Sequence, residues 1–372
     1  MDRTGSSRAS RRVVAAGLLV ALAVLVAIGR AERQALSPQV TAPAPLVTSA
    51  PTTTIPPAPV TARIGIGRGA GAVAVGEGGV WALRGGSVVR VDPRGDRVTA
   101  RIRVAAAAGF WDGRFALGAG ALWVGAGDHA IRVDPGSGRV GRVRAGAWAV
   151  GPDGLWSCRA RAEGGRGSLV RVDPRTLAET ARVPVAACPA ALVAGRGVAW
   201  AVDERGTRVL RVAADGRVTA IGLPVAPFSL SPTGPVPVAL AVGEGAVWAL
   251  SDRVESPTRL GSTVGLGLVR IDPGSARVTG VTPLADLEAA DQAFAVGAGG
   301  VWVVGTPVGQ RGSLPGRFVV DRVDPRSGRL LGSFAVGGLE LGFGPQVAVG
   351  FGALWLAAFD SSELLRIDLS RM

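Results

Sequence analysis

The sequence predicts an all-β fold, a seven-bladed β-propeller closed by an N-terminal strand, and three observations lead to this prediction. A block close to Gly-x-Gly-x-(Val/Leu)-Trp recurs along the chain, at Trp81, Trp123, Trp156, Trp200, Trp248, Trp302 and Trp355. A run of the form hydrophobic-Arg-(Val/Ile)-Asp-Pro usually follows each block. The last repeat also lacks a fourth strand, which the segment before the first repeat can supply. Self-similar units of about 40 residues are typical of four-stranded propeller blades.

The first repeat divides into four strands at chemically motivated breaks. We predict strands over Ala72–Val75, Val80–Leu83, Val88–Asp92 and Val98–Val104. Gly76-Glu77-Gly78-Gly79 suits a tight hairpin that needs positive φ angles, and Asp92-Pro93-Arg94-Gly95 suits a β-turn. The first strand of each unit consists of small residues, as expected where inner strands converge on an axis. The tryptophan on the second strand then fills the wedge between adjacent blades, burying about 200 Å² of surface.

Ring closure is predicted from the two ends of the repeat region. The chain ends at Asp368-Leu369-Ser370-Arg371-Met372, so the seventh repeat has three strands. Val60-Thr61-Ala62-Arg63-Ile64-Gly65 closely matches Val98-Thr99-Ala100-Arg101-Ile102-Arg103 of the first repeat. The N-terminal strand is therefore expected to complete the seventh blade and to leave no open edge in the ring.

The charge of the chain is strongly positive but evenly spread. All 41 basic residues are arginine, against 28 acids, for a net charge of +13. The arginines recur at one position of the repeat, namely Arg90, Arg132, Arg171, Arg211, Arg270 and Arg366. This distribution places them around the ring instead of in one basic stripe, so nucleic acid is not the expected partner.

The N-terminal part of the chain divides into three segments before the propeller of residues 60–372. Residues 1–12 are a short basic terminus, residues 13–29 are an uninterrupted apolar and glycine stretch, and residues 30–59 are a linker rich in proline and threonine. We predict that 13–29 is a single transmembrane anchor, with its basic flank in the cytoplasm and the propeller outside. The alternative is a signal peptide cleaved near Gly29-Arg30-Ala31, which would make the protein secreted.

A binding site is expected on the face of the ring that carries the longest loops. The excess length lies in Ser251–Gly267, Gly305–Gly316, Ala226–Pro237 and Ala285–Gln292. Long loops at one mouth of a rigid scaffold are where binding sites normally lie. The polar residues available there are Asp252, Arg253, Glu255, Asp286, Glu288, Asp291 and Arg311. The expected ligand is a protein, a small molecule or a polymer, and the alternative is that these residues are only solvated loop tips.

The number and spacing of the histidine and cysteine residues give little support for a catalytic or metal site. His129 is the single histidine, in the short loop Gly127-Asp128-His129-Ala130, and no second ligand stands at a recognisable metal spacing. We therefore predict no catalytic residue, no metal site and no cofactor.

Cys158 and Cys188 map to the long-loop face, and in an oxidising compartment we expect a structural disulfide between them.

The repeat resembles the YVTN-type repeats and the related virginiamycin B lyase-like propellers. The resemblance rests on Leu-Val-Arg-Val-Asp-Pro-Arg at residues 169–175 and Arg-Val-Thr-Ala-Arg-Ile-Arg-Val at 97–104, and it covers residues 60–372. It implies a seven-bladed fold, and for the lyases a site of histidine and acidic residues around a metal at the mouth. The first hypothesis is a monomeric, membrane-anchored binding or scaffolding propeller. The second is a lyase or hydrolase acting at the mouth of the ring.

Overall fold

A computed structural model of the protein describes residues 55–67, 69, 71–104, 114–160, 166–189, 191–224, 238–258, 261–284, 287–307, 318–337, 346–357 and 361–372. Positions 238, 252–258, 261–265, 288–293 and 306–307 are described by their backbone alone. In this part of the chain, seven four-stranded antiparallel sheets follow one another, which confirms the predicted seven-bladed propeller.

Each blade uses consecutive strands, numbered here from the inner to the outer strand. The N-terminal strand is β1 (Val60–Gly65). Blade one contains β2 (Ala72–Gly76), β3 (Gly79–Arg84), β4 (Ser87–Asp92) and β5 (Arg97–Arg103). Blade two contains β6 (Phe115–Gly118), β7 (Ala121–Ala126), β8 (His129–Val133) and β9 (Val140–Arg144). Blade three contains β10 (Trp148–Gly151), β11 (Gly154–Ala160), β12 (Gly167–Val172) and β13 (Glu179–Val185). Blade four contains β14 (Ala191–Ala194), β15 (Val198–Val202), β16 (Arg208–Ala213) and β17 (Val218–Gly222).

The remaining three blades include the longest strands. Blade five contains β18 (Val238–Gly243), β19 (Ala246–Thr258), β20 (Gly261–Asp272) and β21 (Arg277–Pro283). Blade six contains β22 (Leu287–Gly297), β23 (Gly300–Pro307), β24 (Phe318–Val323) and β25 (Leu330–Val336). Blade seven contains β26 (Gln346–Gly350), β27 (Ala353–Ala357) and β28 (Glu363–Asp368), and a short 3-10 helix, Leu369–Arg371, follows it.

The ring closes as the sequence predicted, through the N-terminal strand. β1 pairs antiparallel with β28 and becomes the outer strand of blade seven. Ile64 and Ile66 are buried against Trp355 and Leu364 of that blade. The inner strands of blades seven and one also contact each other, so the ring is continuous.

The hairpin between the first two strands explains the glycines of the repeated block. In blade one, Glu77 and Gly78 have φ angles of 47° and 70°, the pair of positive values that a type I′ turn requires. Gly76 ends the inner strand, and a Cβ atom there would lie 2.6 Å from the Leu117 side chain of blade two. The same close approach joins Gly243 to Val296 of the next blade, at 2.8 Å. Glycine therefore lets neighbouring inner strands converge at this end of the ring.

The tryptophan of the block ties the hairpin to the wedge between blades. The indole N–H of Trp81 donates to the carbonyl of Gly76, 3.1 Å away, and its ring packs on Leu122 and Val124 of blade two. Tryptophans Trp123, Trp248, Trp302 and Trp355 make the same bond to the glycine five residues before them. The predicted packing role of these tryptophans is thus confirmed.

Two predicted loops are instead continuations of the sheet. Ser251–Gly267 was expected to be a loop, but β19 and β20 extend through most of it as a paired hairpin with an irregular register between Ser251 and Val254. Most of Ala285–Gln292 belongs to β22, where Glu288 pairs with Thr306. His129 begins β8 instead of lying in a loop. The loop prediction rested on the extra length of these segments, which the protein uses for longer strands. In blade five, the β-branched residues Val254, Thr258 and Val264 favour this pairing.

Among the described residues, no helix has both the length and the apolar character needed to cross a membrane. The predicted anchor at 13–29 and most of the linker lie outside the described residues.

Candidate functional site

The face that carries the loops between second and third strands, and the connections between blades, is called the upper face here. Each inner strand begins at this face and ends at the glycine where the strands converge. Each inner strand also has a hydrogen-bonded neighbour on one side only, so its other edge points towards the axis.

An axial cavity of about 880 Å³ lies between the inner strands. It is lined by the inner strands of blades two to five and by the start of blade seven. Most of the lining is alanine, valine and leucine, with Phe115 and Trp148 as the aromatic members. Arg114 and Gln346 supply the polar side chains among the described lining residues. Its volume lies in the range of pockets for small organic molecules.

Arg114 is fixed at the entrance of this cavity. Its guanidinium donates to the carbonyl of Gly146 at 3.0 Å, which connects the start of blade two to the start of blade three. Trp148 lies beside it, 5 % exposed, and packs on Trp123 in the interface between the same two blades. Trp148 does not belong to the repeated block, and its position on an inner strand is what brings it to the cavity.

His129 lies away from the axis, at the outer part of blade two. Its Nδ1 contacts the Asp128 carboxylate, and the other carboxylate oxygen of Asp128 lies 3.4 Å from Nε of Arg144. The residue belongs to the third strand of its blade and is not part of the cavity lining. The structure therefore does not bring His129 together with the residues at the mouth of the ring.

Arg84 is a buried charge that the sequence analysis missed. It ends β3, is 1 % exposed, and its guanidinium donates to the carbonyl of Gly69. Burial lowers the pKa of Arg84 to about 10, so the side chain stays protonated at neutral pH. Its neighbours lie on the connection from blade seven to blade one. No sequence signal distinguishes Arg84, since Arg159 stands at the same position after Trp156 and is only half-buried.

The predicted site residues lie on blades five and six, and the structure describes them only in part. Asp252, Arg253 and Glu255 belong to β19, and Glu288 and Asp291 belong to β22, with their backbones described and their side chains not. Asp286 and Arg311 lie outside the described residues. The backbone places both groups at the upper face, on two adjacent blades. Whether these residues bind a ligand stays a prediction.

The predicted disulfide is present in the structure. Cys158, at the end of the second strand of blade three, is bonded to Cys188, in the connection to blade four, across a sequence separation of 30 residues. The bond holds this connection against its own blade at the upper face. Among the described residues, no group of three histidine, cysteine, aspartate or glutamate side chains is arranged to hold a metal ion.

The lower face carries a ring of aspartate turns between third and fourth strands. In blade three, the Asp173 carboxylate accepts the backbone N–H of Thr176 and of Arg175, both at 2.8 Å. These bonds lower the pKa of Asp173. The pKa of Asp134, Asp272 and Asp324 is lowered in the same way by the corresponding turns. In each of these four turns the carboxylate is satisfied by groups of its own turn, which gives these aspartates a structural role.

Together, the ring and the axial cavity define a seven-bladed β-propeller with a ligand-sized cavity at its upper face. At the level of sequence, no family model and no curated protein matches the chain.

Solved structures with the same fold include two lyases and the β-propeller domain of a Cps50 (Swd1) protein. A streptogramin B lyase is 13% identical with a TM-score of 0.55, covering 82% of this chain and 94% of that one. Virginiamycin B lyase from Staphylococcus aureus is 15% identical with a TM-score of 0.53, covering 81% and 95%. The Cps50 (Swd1) β-propeller domain of Myceliophteria thermophila is 12% identical with a TM-score of 0.57, covering 84% and 99%. The prediction of a virginiamycin B lyase-like propeller is thereby confirmed at the level of the fold.

Proposed function

We propose that the protein is a membrane-anchored, extracytoplasmic binding propeller whose ligand enters the axial cavity from the upper face. The axial cavity carries the proposal, because about 880 Å³ between the inner strands can accommodate a small molecule or a peptide segment. Arg114 and Gln346 at the entrance supply hydrogen-bond donors that orient a bound group. The wall of the cavity consists of hydrogen-bonded strands, so little ordering entropy opposes binding.

The proposed location rests on two features of the chain. The apolar segment 13–29 with its basic flank favours an anchor whose following domain lies outside the cytoplasm. A disulfide between Cys158 and Cys188 suits an oxidising compartment. Cell fractionation tests the location. A mature chain that begins near Glu32 and is recovered from the medium would contradict the anchor and favour secretion.

The binding role is tested by narrowing the cavity at its entrance. Ala147→Phe and Ala191→Phe each place a ring at the opening, at half-buried positions on the adjacent blades three and four. A small-molecule library is screened for compounds that raise the melting temperature of the full chain, and the shift should disappear in the double variant. Ala178→Phe, an exposed lower-face substitution, is the matched control. Shifts that survive in the double variant would place binding outside the axial cavity.

The alternative is an enzyme of the lyase or hydrolase type, as found among the proteins that share the fold. Quinupristin, the compound named with one solved virginiamycin B lyase structure, is a suitable test substrate. Under the binding proposal, the protein leaves quinupristin chemically unchanged after long incubation, as judged by its chromatographic mobility. Conversion that is lost in His129→Ala would instead establish the enzyme, since removal of an acid or base catalyst costs about a hundredfold or more.

A further inference from the structure

A second cavity lies at the upper face between blades three and four. Its volume is about 270 Å³. One wall is the connection between the two blades, residues 185–187 together with Pro189. The opposite wall is the loop between β15 and β16, residues 203–208, and the floor includes Leu169, Ala201 and Leu210. This cavity is called the interblade cleft here. Pro189 also lines the axial cavity, so the connection separates the interblade cleft from the axial cavity.

Both walls of the interblade cleft are held in place by strong local interactions. The Cys158–Cys188 disulfide holds the connection, and β12 packs closely behind it, since a Cβ atom on Gly167 would lie 3.1 Å from the Cys188 sulfur. On the other side, the Asp203 carboxylate accepts the N–H of Thr207 at 2.8 Å and that of Arg208 at 3.1 Å. The cleft is therefore preformed, and a ligand has little ordering cost to overcome.

The charges at the rim favour an anionic ligand. The Asp203 carboxylate is occupied by its own loop, including the Thr207 hydroxyl at 3.3 Å. Arg205 and Arg208 both lie at the cleft, and within the described part of the chain neither guanidinium forms an ion pair. Glu204 is the one further acid among the lining residues that the structure describes. Two guanidinium groups and one uncommitted carboxylate thus share the loop that borders the apolar floor, for a local excess of one positive charge.

We propose that the interblade cleft is a binding site, distinct from the axial cavity, for a small apolar molecule that carries a carboxylate or a similar anionic group. The apolar part rests on Leu169, Ala201 and Leu210, and the anion lies at the rim with Arg205 and Arg208. Arginine suits this role because its planar guanidinium binds carboxylates with two parallel hydrogen bonds.

The test uses 2-naphthoate as probe and its neutral amide, 2-naphthamide, as the matched uncharged compound. Binding to the full chain in detergent is measured by equilibrium dialysis, with detergent alone subtracted. Arg205→Gln combined with Arg208→Gln should weaken naphthoate binding about tenfold, the size of one or two partly exposed charge contacts, and leave naphthamide binding unchanged. Ala187→Phe, which fills the cleft from a half-buried position, should abolish binding of both compounds.

Matched controls separate the cleft from the rest of the surface and from the axial cavity. Arg175→Gln combined with Arg196→Gln removes two exposed lower-face charges of the same blades, and Ala178→Phe adds a ring there, so neither should change binding. An equal loss of naphthoate and naphthamide in the Arg205/Arg208 variant would overturn the anionic assignment. If naphthoate binds fully to the Ala187→Phe variant but not to the Ala147/Ala191 variant of the axial cavity, the cleft is overturned as a site. The same result would support the axial cavity. If naphthoate binding is retained in both the Ala187→Phe variant and the Ala147/Ala191 variant, both the cleft and the axial cavity are overturned as binding sites for this class of compound.

Discussion

The guanidinium of Arg322 lies 5.1 Å from the centroid of the Trp302 ring. The two residues are directly opposite each other in the register of β23 and β24. The same arginine–tryptophan register holds in every blade: Trp81–Arg90, Trp123–Arg132, Trp156–Arg171, Trp200–Arg211, Trp248–Arg270 and Trp355–Arg366. Stacking of a cation on an indole face is worth about 0.5–2 kcal/mol. The recurring arginines are thus part of the blade structure, which accounts for their even distribution around the ring.

The contribution of the indole hydrogen bond to the free energy of unfolding can be measured by comparing substitutions of two tryptophans. Trp302→Phe removes the bond from Nε1 to the Gly297 carbonyl, 3.0 Å long, whereas the buried Nε1 of Trp156 has no hydrogen-bond partner. Both substitutions lose similar apolar area. We expect Trp302→Phe to lower the free energy of unfolding by about 1 kcal/mol more than Trp156→Phe, the net value of one such bond. Urea denaturation provides the measurement, and equal losses would show that the bond does not contribute.

Most of the fold could be predicted from the repeat, because the repeat specifies local backbone geometry. Gly76 to Trp81 encodes a turn with positive φ angles, a close approach of strands and a wedge residue, and each is a local property visible in sequence. The extended hairpin of blade five was harder to predict, because Gly261-Ser262-Thr263 reads as a loop when its pairing partner is not known. Arg84 and the interblade cleft could not be predicted, since both depend on how neighbouring blades pack.

Closure of the ring is tested at a single buried residue and by truncation. Ile66 is completely buried between blades seven and one. Ile66→Ala should cost about 2–5 kcal/mol, the usual range for a buried aliphatic side chain. Removal of residues 60–66 should cost several kcal/mol and expose the edge of β28. A melting temperature unchanged by the truncation would contradict closure by β1, and Thr61→Ala, at an exposed position of the same strand, serves as the control for Ile66.

The aspartate turns of the lower face predict a loss of stability in acid. The pKa of Asp173 is lowered in the folded protein by its bonds to the N–H groups of Thr176 and Arg175. Its contribution to stability is therefore complete above the unfolded pKa of about 3.9 and is lost as the pH falls through the lower folded pKa. Asp173→Asn should be less stable than the parent chain at pH 7. The difference should shrink below about pH 5 and vanish in stronger acid, and a difference independent of pH would refute this origin.

The disulfide can be tested by chemistry and by stability. Mass spectrometry of unreduced peptides should find Cys158 linked to Cys188, and two freely alkylated thiols would refute the bond. Closing a loop of 30 residues is expected to stabilise the fold by about 3–4 kcal/mol in the chain-entropy model. The Cys158→Ser, Cys188→Ser double variant should show this loss by denaturation. Dithiothreitol should lower the stability of the parent chain and leave that of the double variant unchanged.

Shortening the elongated hairpin of blade five should affect ligand binding while leaving the stability of the fold almost unchanged. Ser251 pairs with Gly267 at the level of the ring, and the five pairs from Val254–Gly265 to Thr258–Gly261 lie beyond it. Five further residues per strand extend about 17 Å at the usual rise. Because a two-stranded ribbon adds little independent stability, replacing 253–265 by a short turn should change the melting temperature by only a few degrees. If Arg253 and Glu255, which this replacement removes, contribute to binding, the same variant should lose affinity for compounds that stabilise the parent chain, and unaltered affinity would place the site elsewhere.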